Sequence, residues 1–193
     1  MRIANFTRAR VSVRPNPRRV LWMLGVLTLL FGTARAQSAT AGEYEIKAAF
    51  LYNFAKFVDW PPKSFRDTTA PLQICVLGRD PFGEALRNIT REKTVNGRKL
   101  EVDYVVDLRM ARTCHILFIA SSEKERLRQI FEGLQGSCIL TVGDTKDFAA
   151  QGGMINFVLQ DDRVQFEVSR TAIEQAGLKI SSKLLSVAKV VIG

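Results

Sequence analysis

Histidine is nearly missing from this chain of 193 residues; the only one is His115. Cysteine is scarce too, with Cys75, Cys114 and Cys138 widely spaced and no C-x-x-C. A zinc site draws several such ligands from short spacings, so neither a zinc knuckle nor a thioredoxin-like centre is supported. The sequence has no G-x-S-x-G, Walker A or G-x-G-x-x-G motif. The usual marks of an α/β-hydrolase, a P-loop NTPase and a dinucleotide-binding domain are therefore lacking. Acidic residues are absent from positions 1–36, which hold Arg2, Arg8, Arg10, Arg14, Arg18, Arg19 and Arg35. The formal net charge of +9 arises from 28 basic and 19 acidic residues. Without those seven arginines, 21 basic residues face 19 acidic ones. The body is nearly neutral, so composition gives no electrostatic case for binding DNA or RNA. With 47% hydrophobic residues it is also no candidate for intrinsic disorder.

Only one long apolar run exists, Val20 to Phe31. As a helix it reaches roughly 18 Å against a hydrocarbon core of roughly 30 Å, too short to span comfortably. Arginines precede it, and Ala34-Arg35-Ala36 follows as an A-x-A processing site. This predicts a secretory signal peptide over residues 1–36, cleaved after Ala36, and one exported periplasmic domain over 37–193. A retained N-terminal anchor is the competing reading. Arg18-Arg19 fits a twin-arginine signal poorly, given the residues that follow.

Three cysteines in an exported chain allow at most one internal bridge. Cys75 lies in the apolar run Leu72–Leu77 and Cys114 opens the run Cys114–Ile119. Two strands of one sheet can bring such residues together, but spacing does not show it. A bridge there closes a loop of about 40 residues, worth roughly 4 kcal/mol in the chain-entropy account. Cys138 opens the strand-like Cys138–Val142, where a buried small hydrophobe is expected.

Residues Glu43–Val58 form the clearest helix, free of Gly and Pro, with Glu43 and Glu45 near its positive end. Ile46, Phe50, Asn53, Phe54 and Phe57 make one stripe, and Tyr44, Ala48, Leu51, Tyr52 and Ala55 make the other side apolar as well. Such a helix is covered over most of its circumference, by the core or partly by a second chain. Trp60-Pro61-Pro62 stops it. Strands are expected at Leu72–Leu77, Lys99–Tyr104, Cys114–Ala120, Ser137–Val142, Met154–Gln160 and Arg163–Ser169. Helices are expected at Phe82–Ile89 with Asp80 as N-cap, from Ser121 or Ser122 to Leu134, at Asp144–Ala150, at Thr171–Ala176 and at Ser181–Val190. Asn96-Gly97 and Asp161-Asp162 read as tight turns, the second closing a hairpin. Strand–helix units with continuous apolar strands predict an α/β fold. We expect a single-domain three-layer sandwich, its sheet mainly parallel with a C-terminal antiparallel hairpin.

Little of this carries chemistry. His115 and Cys114 are neighbours on a strand, where adjacent side chains point to opposite faces, so they do not form a dyad. The loop Gly78–Gly83 follows a strand end, where open α/β sheets place ligands, and Arg79 can hold an anion there; a plain strand–helix turn is the simpler reading. Gly152-Gly153 suits close backbone approach or a tight turn. No catalytic constellation, cofactor motif or metal set emerges, and the chain reads as a binding or regulatory domain rather than an enzyme. The alternative is a periplasmic small-molecule binding component with its ligand at Gly78–Gly83. An enzyme using Cys138 as nucleophile is the third and weakest reading.

Two stretches go further. Lys47-Ala48-Ala49-Phe50-Leu51-Tyr52-Asn53-Phe54-Ala55-Lys56-Phe57-Val58-Asp59-Trp60-Pro61 is the first. The second comprises Ile155-Asn156-Phe157-Val158, then Arg163–Val168, then Ala176–Leu185. With Cys75 and Cys114 they resemble the YfiR family of bacterial periplasmic proteins, over essentially the whole mature chain. The resemblance implies a compact α/β fold and a non-enzymatic role. Its members bind the periplasmic sensor domain of an inner-membrane diguanylate cyclase (YfiN) and hold it inactive. An outer-membrane lipoprotein (YfiB) sequesters the repressor, raising cyclic-di-GMP and favouring biofilm. It also implies a Cys75–Cys114 disulfide and a tendency to dimerise. A second family pair is reduced here to Cys138. On this reading the candidate partner contacts are Tyr52, Trp60, Arg79 and the polar face of the last strand, Arg163, Gln165 and Glu167, because interfaces favour Trp, Tyr and Arg anchors. Core packing is the competing role for Trp60.

Overall fold

The computed structural model describes residues 40–193; the expected signal peptide, residues 1–36, lies outside the described residues. Helix α1 covers residues 40–57. Its deepest side chains are Ala48, Leu51, Phe54 and Ala55, all fully buried. The expected stripe is therefore displaced. Ile46 is 49% exposed, because the sheet meets α1 along the row Lys47–Leu51–Phe54 rather than along Ile46–Phe50. Phe50 still closes an aromatic group with Phe54, Phe157 and Phe166. The helix ends before the prolines. Strand β1 (Val58–Asp59) turns away to pair antiparallel with β9 (Lys179–Ile180), tying the end of α1 to the C-terminal region.

The main sheet has eight strands in the order β10-β8-β7-β6-β5-β2-β4-β3. Strands β2 (Leu72–Leu77), β4 (Arg98–Val105), β5 (Ile116–Ile119), β6 (Leu140–Gly143) and β7 (Ile155–Gln160) run parallel. The short β3 (Thr94–Val95) returns antiparallel beside β4, through Asn96 and Gly97 at φ 51° and 80°. Strand β8 (Arg163–Ser169) returns antiparallel beside β7 through Asp161 and Asp162, at φ 49° and 56°. Consecutive positive φ angles are what a two-residue hairpin turn requires to match strand twist.

Because the central strands are buried on both faces, alternate residues feed two cores. Ile74, Val76, Ile116, Phe118, Leu140 and Val142 meet α1 and the helices α2 (Ala85–Thr90), α4 (Arg170–Gln175) and α5 (Ser182–Leu185). Cys75, Leu77, Leu117 and Ile119 face a second cluster with Leu127 and Ile130 of α3 (Leu127–Gly133) and with Phe148. This is the expected three-layer α/β sandwich with a mainly parallel sheet.

Several local expectations fail for identifiable reasons. Residues 144–150 form turns rather than a helix: Asp147 takes a φ of 61°, which lets Phe148 fold inward against Gly143 and Gly153. The segment after Ser121 begins as a 3-10 helix, Ser121–Arg126, and neither serine caps it; the Ser122 hydroxyl instead accepts the Arg79 N–H at 2.9 Å. Asp80 accepts from the Phe82 N–H and so holds the turn ahead of α2 rather than capping the helix, which starts at Ala85. The final helix shrinks to α5, and Val190–Ile192 becomes β10, parallel to β8 at the sheet edge. Three β-branched residues in a row favour the extended form once an open strand edge is available.

Candidate interaction surfaces

Cys75 and Cys114 are bonded, with Cα atoms 5.9 Å apart. The register places Cys75 opposite Leu117, so the bridge straps the segment before β5 onto β2 from the second core. Both cysteines are buried. Cys138 is free and half-exposed, and it precedes β6 rather than beginning it, so it is not the buried strand residue expected.

Beside the bridge, His115 ties together the N-terminal ends of the parallel strands. The Gln73 N–H donates to its Nδ1 at 3.0 Å, and its Nε2 lies 3.1 Å from the Ser64 carbonyl. An acceptor at Nδ1 leaves the proton on Nε2, so the ring is neutral and donates to Ser64. Burial pushes its pKa down to about 4, with the nearby Arg98 charge acting in the same direction and the Ser64 bond opposing it. The ring of Phe65 stacks on His115 at 4.3 Å, and the Arg98 guanidinium covers Phe65 at 3.7 Å. Arg98 also donates to the carbonyls of Asp67 and Ala70. The chain from Pro61 to Pro71 is thus pinned over the strand ends by one neutral imidazole and one guanidinium.

A cleft of about 430 Å³ opens there, between Lys63, Ser64, Phe65, Arg66 and Asp67 on one side and Gln73, Arg112, Thr113 and His115 on the other. A second hollow of about 230 Å³ adjoins it through Phe65 and includes Asp59, Trp60 and Arg98. Trp60 is half-buried, and its indole N–H donates to the His115 carbonyl at 3.1 Å. It has a structural anchor and one accessible side.

The other residues named from the sequence do not join Trp60. Tyr52 is half-buried on α1, with Lys56 Nζ 5.3 Å from its ring centre. Arg79 is exposed after β2, at the opposite end of the sheet, beside an open hollow of about 500 Å³ shared with Asp80, Ser121, Ser122 and Lys124. Arg163 is exposed at the hairpin turn on that same end. Four strand spacings separate β8 from β2, roughly 19 Å. Glu167 is half-buried and accepts from Asn156 Nδ2 at 3.2 Å. Gln165, also half-buried, opposes Val158. Since β10 lies outside β8, Arg163, Gln165 and Glu167 do not form the last strand.

Sequence reasoning missed a buried ionic group. Lys47 Nζ lies 2.6 Å from Asp144 Oδ2 and 2.6 Å from Glu43 Oε1. The Tyr44 hydroxyl donates to Asp144 Oδ2 at 2.7 Å. Burial first, and then the bond to Asp144, raise the Tyr44 pKa well above its ordinary value. The Glu43–Lys47 spacing was a readable signal, but a partner 97 residues away was not.

Among the described residues, no helix is long and apolar enough to cross a membrane. A family model described as YfiR/HmsC-like matches residues 44–189. No curated protein matches the chain. Among solved structures, a conserved domain protein from Vibrio cholerae O1 biovar El Tor is similar at 11% identity and a TM-score of 0.49, over 62% of this chain and 54% of that one. An ABC domain from Streptococcus pneumonia, in complex with L-Trp, is similar at 10% identity and a TM-score of 0.48, over 63% and 55%. The matched part spans about half the length of either structure.

Proposed function

This chain belongs to the YfiR/HmsC-like family, and on that premise we propose that it is a periplasmic regulator that restrains an inner-membrane diguanylate cyclase. It binds the cyclase's periplasmic sensor domain and controls cyclic-di-GMP output and biofilm formation. The observation that carries this reading is the family match over 44–189, and the Cys75–Cys114 bridge accords with it. The family is regulatory rather than catalytic. Repression then needs only a difference in affinity: each tenfold preference for the inactive sensor conformation shifts the equilibrium by about 1.4 kcal/mol. An outer-membrane YfiB-like lipoprotein is the proposed sequestering partner, and a homodimer a further assembly state.

Trp60 beside the cleft, Tyr52 on α1, and Arg79, Arg163 and Glu167 toward the other end of the sheet remain proposed contacts. Their separation favours two partner-facing regions over one. The test is co-expression with a membrane-bound cyclase while cyclic-di-GMP is measured. Mature protein should lower the nucleotide and retain the sensor domain in a pull-down. Unchanged cyclic-di-GMP with a folded, exported protein would sink the reading.

The hollow at Arg79 favours a second reading, a small-molecule binding component with its ligand at Gly78–Gly83. A metabolite that raises the melting temperature and leaves the cyclase untouched would support it instead.

A further inference from the structure

Lys63, Arg66 and Arg112 are all exposed and rim the cleft beside the disulfide. Among the described residues, none of the three forms an ion pair. Two acids lie nearby, both bonded to neutral donors; the Thr69 bonds, and to a lesser degree the Arg66 charge, hold the Asp67 carboxylate below its ordinary range. Asp67 accepts from the N–H and hydroxyl of Thr69, at 2.7 and 2.8 Å. Glu101 takes the Gln73 side-chain amide at 2.7 Å. Arg98, on Phe65, adds a fourth cation behind the rim. The floor is stiff, since Phe65 is held between His115 and Arg98. The lip that carries Arg112 and Thr113 leads directly into Cys114, whose sulfur is bonded to β2.

The geometry points to this cleft as a docking surface for an acidic polypeptide segment of a partner protein. Its charges are exposed and spread along an open rim. A single small anion held only by such groups is weakly bound, because solvent screens each pair. A segment with several spaced carboxylates engages all three cations at once, and a pre-ordered floor lowers the ordering cost. The inference rests on the regulatory reading above, since it supplies the chemistry of one partner contact.

The test uses oxidised mature protein and a fluorescein-labelled decaglutamate peptide, followed by fluorescence anisotropy. Saturable binding is expected, weakening as salt is raised. Arg66→Glu with Arg112→Glu should weaken it about tenfold or more. Arg128→Glu with Lys183→Glu, the same charge change at exposed positions of α3 and α5 outside the cleft, should leave it within about twofold. Circular dichroism confirms that both variants are folded. Equal loss in both variants would overturn the proposal, as nonspecific attraction. So would cleft-dependent binding to phosphatidylglycerol vesicles without peptide binding, or full displacement of the peptide by inorganic phosphate at constant ionic strength. The two readings separate cleanly. If the peptide does not bind yet cyclase repression persists, the cleft assignment fails alone. If the peptide binds yet no repression occurs, the regulatory reading fails alone.

Discussion

Gln73 and His115 bond each other twice: the His115 N–H donates to the Gln73 carbonyl at 2.9 Å, and the Gln73 N–H donates to His115 Nδ1 at 3.0 Å. A ladder contact between neighbouring strands is thereby linked to a side chain that must stay neutral. Protonation at Nδ1 removes the acceptor and leaves the Gln73 N–H facing a cation.

The first prediction follows from that acceptor. The folded pKa of His115, about 4, lies below the unfolded value of 6.5. The unfolded chain binds more protons between those values, so this stabilising contribution is complete above pH 6.5 and is lost as pH falls through about 4. The loss amounts to about 3 kcal/mol at most. Urea unfolding from pH 7 to pH 4 measures it. His115→Asn, which keeps an acceptor near Nδ1, should be less stable at pH 7 and should show a flatter dependence over that range.

Breaking the bridge frees a closed loop with a sequence separation of 39 residues. Cys75→Ser with Cys114→Ser, or added reductant, should lower stability by about 3–4 kcal/mol. Thermal melts of oxidised and reduced protein provide the check. Coincident melting would remove any link between redox state and regulation.

Asp144→Ala leaves Lys47, only 4% exposed, with Glu43 as its single carboxylate, and it orphans the Tyr44 hydroxyl. A cost of about 3 kcal/mol is expected. Lys47→Met combined with Asp144→Asn removes both charges and keeps an acceptor for Tyr44, so the double variant should recover most of that loss. A double-mutant cycle by denaturant unfolding reads the coupling.

At the hairpin, Asp161 and Asp162 both hold positive φ and stand side by side as like charges. Replacing them by Asn-Gly should raise stability by about 0.5–1 kcal/mol, since Gly adopts that backbone freely and the repulsion disappears. A higher denaturation midpoint at unchanged slope is the expected signature. If the β8 face at this turn contacts a partner, repression should fall while stability rises.

Much of the fold was legible in the residues. Strand β2 has the expected bounds, because five of the six residues Leu72–Leu77 are apolar and Pro71 and Gly78 flank them. Both tight turns followed from Asn-Gly and Asp-Asp between alternating strands. The segments that misled were those whose fate depends on distant contacts. Residues 144–150 have helical composition, yet Phe148 finds a buried place only by breaking the helix. The expected helix ran to Val190, but the edge of β8 offers hydrogen bonds that draw Val190–Ile192 into a strand. Of the proposed contacts, Trp60 alone adjoins the cleft, whose basic rim is assembled from residues 63–66 and Arg112.

The sequence by itself determined the α/β alternation, the hairpin turns, the leader-like N-terminal pattern and the family motifs. All of these are set by neighbours a few residues apart, through periodicity, turn conformation and local composition. Only the tertiary structure decided which row of α1 is buried, that Lys47 meets Asp144, that His115 is held neutral, and that three unpaired cations share one cleft. Those relationships join positions from about 40 to about 100 residues apart. Their strength depends on burial and mutual geometry, which a linear spacing does not contain.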